Sequence, residues 1–305
     1  MKIFLIGGTG FIGRILVPSF IQKGHEISLL VSSNKKNEVC NRTLEVISGD
    51  PTLSGEWQKH MGTHDIVINL AGTSIFQRWN DQIKSQIHMS RISTTRNIVA
   101  GLKAYNKETK HLFNASGVGY YGYDQEALFD EKSSPGNSFL AMVARDWEQE
   151  ALKAQSLGIR TVLCRFGIVM GRGGGALKNM LPLFKMYCGG TWGNGKQWFS
   201  WIHESDLVNA LNFLIHQKLI DGPVNFTAPH PVQNRELAES MREVLQRTSI
   251  IPAIPGSLIK WLLGEFSEVF LKGQRVIPGK LVDNGYKFYF SDLKECLIDL
   301  IRRSK

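Results

Sequence analysis

Seven residues near the start of the chain, Gly7-Gly8-Thr9-Gly10-Phe11-Ile12-Gly13, limit what it can fold into more than any others. They follow the apolar run Lys2 to Ile6 without a spacer and open a stretch of helical periodicity, so a strand must become a helix within a few residues. Gly7, Gly10 and Gly13 stand at a GxxGxxG spacing. Such a turn has to be tight, has to let backbone N–H groups approach a pyrophosphate, and has to pack the helix close against the strand. Each demand excludes a side chain. The segment therefore predicts a dinucleotide site in which Gly7, Thr9, Gly10, Phe11, Ile12 and Gly13 line the cofactor.

Which nucleotide is held depends on the end of the second strand, where an acidic residue about 20 positions past the glycines would grip a ribose 2′-OH. Here the chain reads Val31-Ser32-Ser33-Asn34-Lys35-Lys36. It offers no carboxylate, while the hydroxyls of Ser32 and Ser33 and the ammonium of Lys35 suit a 2′-phosphate, so NADP(H) is expected over NAD(H). A merely solvated lysine pair is the alternative.

Short β-branched apolar runs alternate with helical patterns through the first half, which predicts βαβ units and a Rossmann-like, doubly wound parallel sheet of the α/β class. Strands are expected at Lys2 to Ile6, Glu26 to Val31, Leu44 to Ser48, Ile66 to Leu70, His111 to Ala115 and Thr161 to Arg165. Helices are expected near 12–23, 54–60, 79–107, 138–156, 176–187, 206–217 and 234–247. Residues 1–170 form the expected nucleotide-binding core and 171–250 a substrate-side region interleaved with it. The Pro-bounded segment Ile251 to Pro255 introduces a smaller C-terminal module over 251–305. Within that module, Leu258, Leu262, Phe266 and Val269 would share one face of a helix running to Leu271.

A 43% hydrophobic, 21% charged chain of 305 residues is globular and large enough to hold a core without metal or disulfides. Cys40, Cys164, Cys188 and Cys296 are scattered and read as reduced thiols, pointing to the cytoplasm. No stretch nears the roughly 18 apolar residues of a membrane span, and the N-terminal apolar run is too short for a signal peptide. The net charge of +9 divides as +6 over residues 1–112, zero over 113–250 and +3 over 251–305, with no basic run longer than two. Nucleic acid is not expected as a partner; a small anionic ligand fits the first third as well as a solvated surface does. Oligomeric state is not legible.

Further blocks extend these motifs along the chain: Asn69-Leu70-Ala71-Gly72, Ser90-Arg91, Gly119-Tyr120-Tyr121-Gly122, Asp146-Trp147-Glu148, Arg165-Phe166-Gly167 and Trp201-Ile202-His203-Glu204-Ser205-Asp206. With them the chain resembles the extended short-chain dehydrogenase/reductases, and within these an atypical epimerase-like family of the NAD-dependent epimerase/dehydratase superfamily that ends in a small module of unknown function. The resemblance implies that Leu70, Ala71 and Gly72 run along the cofactor and that Asp50 meets the adenine. It also implies an oxidoreductase or epimerase-like activity on a small molecule that the residues do not identify.

The chain departs from that family where chemistry is expected. Typical members carry Tyr-x-x-x-Lys on the helix after the fifth strand, the lysine easing proton exchange by the phenol. The corresponding positions here are Phe139 and Val143, and neither moves a proton. Ser116 remains from the usual triad and Tyr121 is the candidate replacement acid, with Tyr120 and Trp201 as pocket walls beside Trp192 and Trp198. Arg91 falls in the apolar stripe of Trp79, Ile83, Ile87, Ile98 and Leu102, so its guanidinium requires a partner, either a protein carboxylate or an anionic group of a ligand. His203 and Asp206 read as mainly structural, Asp206 as a helix cap. Two functions stay open: an NADP-dependent oxidoreductase or epimerase, and a catalytically silent NADP(H)-binding protein that reports redox state.

Overall fold

The computed structural model describes residues 1–32, 44–248 and 253–302. Seven parallel strands form its centre: β1 (Lys2–Ile6), β2 (Glu26–Val31), β3 (Leu44–Ser48), β4 (Ile66–Asn69), β5 (His111–Gly117), β6 (Arg160–Phe166) and β7 (Gly222–Phe226). Their order across the sheet is β7-β6-β5-β4-β1-β2-β3. The expected doubly wound parallel sheet is present, with one strand more than the sequence patterns indicated. Seven helices accompany it as far as residue 245: α1 (Phe11–Gln22), α2 (Trp57–Met61), α3 (Asp81–Tyr105), α4 (Phe139–Leu152), α5 (Gly175–Lys185), α6 (Glu204–His216) and α7 (Asn234–Leu245).

The apolar run of β1 is continuous because both faces of a central parallel strand are covered. Ile3 and Leu5 pack with Leu16 and Phe20 of α1 and with Leu207 and Leu211 of α6. Phe4 and Ile6 point the other way, toward Trp57, Met61, Ile98, Leu102 and Ala151. Chain order reverses between β1 and β4, which are neighbours. A crevice opens outside the carboxyl ends of such a pair, and this is where open α/β sheets take their ligands.

A second apolar core lies beyond β6. Met170, Leu177, Met180, Phe184 and Trp201 meet Leu237 and Met241 of α7 and Leu293, Leu297 and Leu300 of the last helix, Leu293–Arg302. The C-terminal module thus shares a core with the region before it. The continuous helix expected up to Leu271 does not form. It breaks at Gly264, which has φ +60°, into Gly256–Leu263, a 3-10 turn over Gly264–Ser267 and Glu268–Leu271. Phe266 is buried, while Leu258 and Leu262 are exposed.

Asp206 fastens the module from below. It is fully buried in α6 and accepts hydrogen bonds from Tyr286 Oη (3.0 Å), Tyr289 N (2.9 Å) and Phe290 N (2.9 Å). The helix cap expected of Asp206 is made instead by His203, whose Nδ1 accepts from Ser205 N at 3.0 Å. The His203 ring stacks on Phe290 with centroids 3.9 Å apart.

Burial holds the His203 imidazole down at about 4, against an ordinary 6.5, despite Asp299 at 3.4 Å. The unfolded chain therefore accepts a proton that the folded chain refuses. The resulting stability is complete above pH 6.5 and is lost as pH falls toward 4, by up to about 3 kcal/mol. Burial raises the carboxyls of Glu204 and Asp206, which act in the opposite sense, so the difference between two proteins is the useful quantity. Chemical denaturation of wild type and His203→Gln between pH 7 and pH 4 should give a shallower loss of stability in the variant; parallel curves would show that His203 titrates alike in both states.

Candidate active site and nucleotide cradle

The crevice between β1 and β4 is closed at its base by atoms that leave no room for side chains. Gly7 has φ +82°, and a Cβ on it would stand 2.7 Å from the Leu70 carbonyl carbon and the Ala71 nitrogen. A Cβ on Gly13 would come 2.3 Å from Gly8 Cα, so the first turn of α1 rests directly on the loop. Gly10 differs. Its φ of −73° is open to any residue, and a Cβ there would approach only Gly7 O, at 3.2 Å. Gly10 is exposed and caps α1 without a side chain, so the helix's first N–H groups and positive end face the crevice. Thr9 O is taken by Arg14 Nε at 2.9 Å, and Ile12 is half-buried at the helix start. This bare, positively polarised cradle fits a pyrophosphate.

Phe11 closes one side. A Cβ on Gly171, Gly174 or Gly175 would fall 2.0 to 2.8 Å from its ring, so the glycine loop after the strand Ile168–Gly171 is shaped around this aromatic. On the other side lie Leu70, Ala71 and Gly72, with Ala71 N bound to Asn69 Oδ1 at 3.1 Å. Ser32 is exposed just past β2, while Ser33 and Lys35 lie outside the described residues. Asp50 is exposed two residues past β3, and its Oδ1 accepts from Thr52 N (2.9 Å) and Thr52 Oγ1 (2.7 Å), which holds the carboxylate at the rim.

The two candidate catalytic hydroxyls belong to a buried network. Ser116 Oγ donates to Glu148 Oε1 at 2.6 Å. Glu148 receives Arg165 Nε at 2.8 Å and Nη2 at 2.7 Å, a two-pronged ion pair with both side chains almost fully buried. Arg165 Nη1 donates to Tyr121 Oη at 2.9 Å, and Tyr121 donates to Asn225 Oδ1 at 2.7 Å. Burial pushes the Tyr121 phenol far above its ordinary range. Tyr120 lies under the Arg165 guanidinium, 3.5 Å from its ring centre. Asn225 carries the network onward, Nδ2 donating to Ile277 O at 2.9 Å and its backbone N to Glu131 Oε1 at 3.0 Å.

Phe139 and Val143, the residues expected where the family carries its acid and lysine, are packed. The Phe139 ring meets Trp79 edge-on at 5.2 Å, and Val143 is 3% exposed. Arg91, on α3, donates Nη1 to Thr73 O (3.0 Å) and Ile87 O (2.9 Å) beside Gly72. Trp201 does not wall a pocket: it is fully buried in the second core, with Nε1 donating to His230 O at 3.1 Å. Trp192 packs on Phe270 at 4.9 Å, and Trp198 bonds Gln125 O at 2.8 Å beneath Arg275, so both secure the C-terminal module.

A cavity of about 400 Å³ lies where that module meets the loop after β5 and the start of α4. Tyr123, Asp124, Gln125, Asn137, Ser138, Glu268, Lys272 and Gly273 line it. Its walls are tied by Asp124 N to Gly273 O (3.1 Å) and by Lys272 Nζ to Glu268 Oε1 (2.6 Å). Among the described residues no cluster of His, Cys, Asp and Glu could hold a metal ion, and no helix is long and apolar enough to cross a membrane.

Sequence reasoning singled out Glu148 and Arg165 only as parts of motifs. The signal was present: each is a charge in an apolar pattern, Glu148 one turn from Ala144 and Ala151, Arg165 inside the buried run of β6. Nothing local to the glycines at 171–175 announces that they receive Phe11.

Comparison with known proteins agrees with this architecture. Residues 3–225 match the model of the NAD dependent epimerase/dehydratase family, and residues 254–300 match a domain of unknown function, DUF1731. The chain is 38% identical over 299 residues to the chloroplastic epimerase family protein SDR39U1 homolog of Arabidopsis thaliana, covering 97% of this chain and 86% of that one. It is 36% identical over 306 residues to the epimerase family protein YfhF of Bacillus subtilis, covering 100% and 99%. The human epimerase family protein SDR39U1 (isoform 2), crystallised with NADPH, superposes with a TM-score of 0.85 at 28% identity over 99% of each chain. UDP-glucose 4-epimerase of Thermotoga maritima shares the fold, with a TM-score of 0.79 at 18% identity. Sequence match, sheet order and the glycine cradle converge: the chain belongs to the NAD dependent epimerase/dehydratase family.

Proposed function

We propose that this protein is a cytoplasmic NADP(H)-binding oxidoreductase acting on a small molecule, in which Ser116 and Tyr121 support the site instead of handling protons. The cradle at the start of α1 carries the reading, because it is bare, exposed and polarised where a pyrophosphate would lie. The likeness to a human protein crystallised with NADPH supports the choice of nucleotide. So does the end of β2, where Ser32 stands and no carboxylate precedes the region of Ser33 and Lys35.

The bound nicotinamide would supply or accept a hydride. Leu70, Ala71 and Gly72 would give it a backbone wall and Asp50 would stand at the adenine end, while Phe139 and Val143, packed with Trp79 and Phe266, would keep the protein behind the site apolar. The cavity beside Tyr123, Asn137 and Lys272 is the proposed substrate chamber, built in part by the C-terminal module. A second reading, a silent reporter of the NADP(H) redox state, is favoured by the same network, since it consumes Ser116, which remains from the usual triad, and Tyr121, the candidate replacement acid. NADPH-loaded protein offered a panel of aldehydes and ketones separates the two: catalysed loss of nicotinamide absorbance supports the oxidoreductase, and none across the panel supports the reporter.

Three outcomes are expected. NADPH should bind at least about tenfold tighter than NADH in calorimetric titration, a difference of about 1.4 kcal/mol; equal affinities would remove the argument from β2. Gly10→Val should lower NADPH affinity at least tenfold with little change in Tm, whereas Gly13→Ala should lower Tm by several degrees, because only the second clashes with backbone. Unaltered NADPH binding in Gly10→Val would place the pyrophosphate elsewhere. Tyr121→Phe leaves Arg165 Nη1 and Asn225 Oδ1 without their shared partner and should cost about 1–3 kcal/mol of stability, while Glu148→Gln breaks the buried pair and should cost about 3–5 kcal/mol. A Tyr121→Phe protein of native stability that has lost turnover would make Tyr121 the acid after all.

A further inference from the structure

Ser90 and Arg91 grip one residue, Thr73, by its two backbone polar groups. Ser90 Oγ accepts from Thr73 N at 3.1 Å while Arg91 Nη1 donates to Thr73 O, so α3 fixes the backbone just beyond Gly72. That accounts for one guanidinium nitrogen. Among the described residues, Arg91 Nε and Nη2 meet no acceptor, and no carboxylate lies within ion-pair distance. The guanidinium is half-buried, 5.2 Å from the centre of the Trp147 ring. Its carbon would lie 3.0 Å from a Cβ on Gly72, with Nη2 and Nε at 3.2 and 3.3 Å, so it occupies the flank of the cofactor-facing loop.

A cation placed there is costly, since burial removes hydration and no protein anion replaces it. Burial alone brings Arg91 down to about 10, with no neighbouring charge acting against it. The ion pair of Arg165 with Glu148 shows how this protein satisfies a buried guanidinium when the partner is internal. The pair of nitrogens left over on Arg91, Nε and Nη2, is the edge that receives a carboxylate or a phosphate through two parallel bonds.

We infer that Arg91 seats an anionic group, a carboxylate or a phosphate, of a molecule bound in the crevice beside Gly72. The inference rests on the proposed nucleotide reading for its location. The group has two available sources, the cofactor's own pyrophosphate or an acidic substituent on the second substrate, and the chemistry of recognition is the same for both.

The test uses the whole chain as wild type, Arg91→Gln and Arg91→Lys. NADPH affinity is measured by calorimetry. Tm shifts are then measured on NADPH-saturated protein with citrate, malonate and glucose 6-phosphate, with glucose as the uncharged control. If the cofactor supplies the anion, Arg91→Gln weakens NADPH at least tenfold and Arg91→Lys recovers part of the loss. If the substrate supplies it, NADPH affinity changes less than twofold, while an anion-induced Tm rise seen in wild type disappears in Arg91→Gln. Should Arg91→Gln fail to fold, phenylglyoxal modification of wild-type Arg91, followed by mass spectrometry, gives the same answer: NADPH or one of the three anions must protect it. Folded Arg91→Gln with unchanged NADPH affinity and unchanged anion shifts, or no protection of wild-type Arg91, overturns the inference and leaves Arg91 as a clamp on Thr73. Wild type that ignores NADPH while an anion protects Arg91 refutes the nucleotide reading alone.

Discussion

The ion pair of Arg165 with Glu148 is the contact on which the candidate-site side of this protein depends. It sits where β6, β5 and α4 meet the turn carrying Tyr120 and Tyr121, with both side chains nearly without solvent. A buried pair of this kind adds little net stability over an apolar one, but it is demanding in geometry, because either charge left alone would be severely destabilising. The demand is met by converting neighbouring hydroxyls into partners. Ser116 satisfies Glu148, Tyr121 satisfies Arg165, and Asn225 satisfies Tyr121. Through Asn225 and Ile277 the same chain of bonds reaches the C-terminal module.

Seen this way, Phe139 and Val143 fit a broader change in the site. A phenol and an ammonium at those positions would meet Trp79, Ile87 and Phe266, which form an apolar patch with them. Both positions are occupied by packing, while the cradle at the start of α1 keeps the bare glycines and the uncapped helix start that suit a dinucleotide. Cofactor binding and acid-base chemistry are therefore separable in this fold, since the first rests on backbone N–H groups and bare glycines and the second on side chains.

What could be read from the sequence follows from how local each signal is. The turn at Gly7 to Gly13 was legible from its glycines, and strands β1, β2 and β4 were legible because buried parallel strands leave continuous apolar runs. Strand β7 was not: Gly222-Pro223-Val224-Asn225-Phe226 lies at the sheet's edge and carries a proline and a polar residue that faces the network. The module helix near Leu258 to Leu271 misled because its apolar residues keep helical spacing throughout, and only Gly264, at φ +60°, divides it. Trp201 looked like a pocket wall because glycines and aromatics surround it, yet its short strand pairs with Ile168 and turns the indole inward. Pairings across long stretches of chain, Asp206 to Phe290 and Phe11 to the glycines at 171–175, exist only once the sheet has brought those segments together.

The central claim is that the nucleotide is held by the cradle while Ser116 and Tyr121 remain in the protein's own network. A crystal structure of the complex with NADPH tests this most directly. The pyrophosphate should lie over the backbone of Gly10 to Ile12, with Ser116 still bonded to Glu148 and Tyr121 still bonded to Arg165 and Asn225. A structure in which either hydroxyl had left its partners and turned toward the nicotinamide would contradict the account.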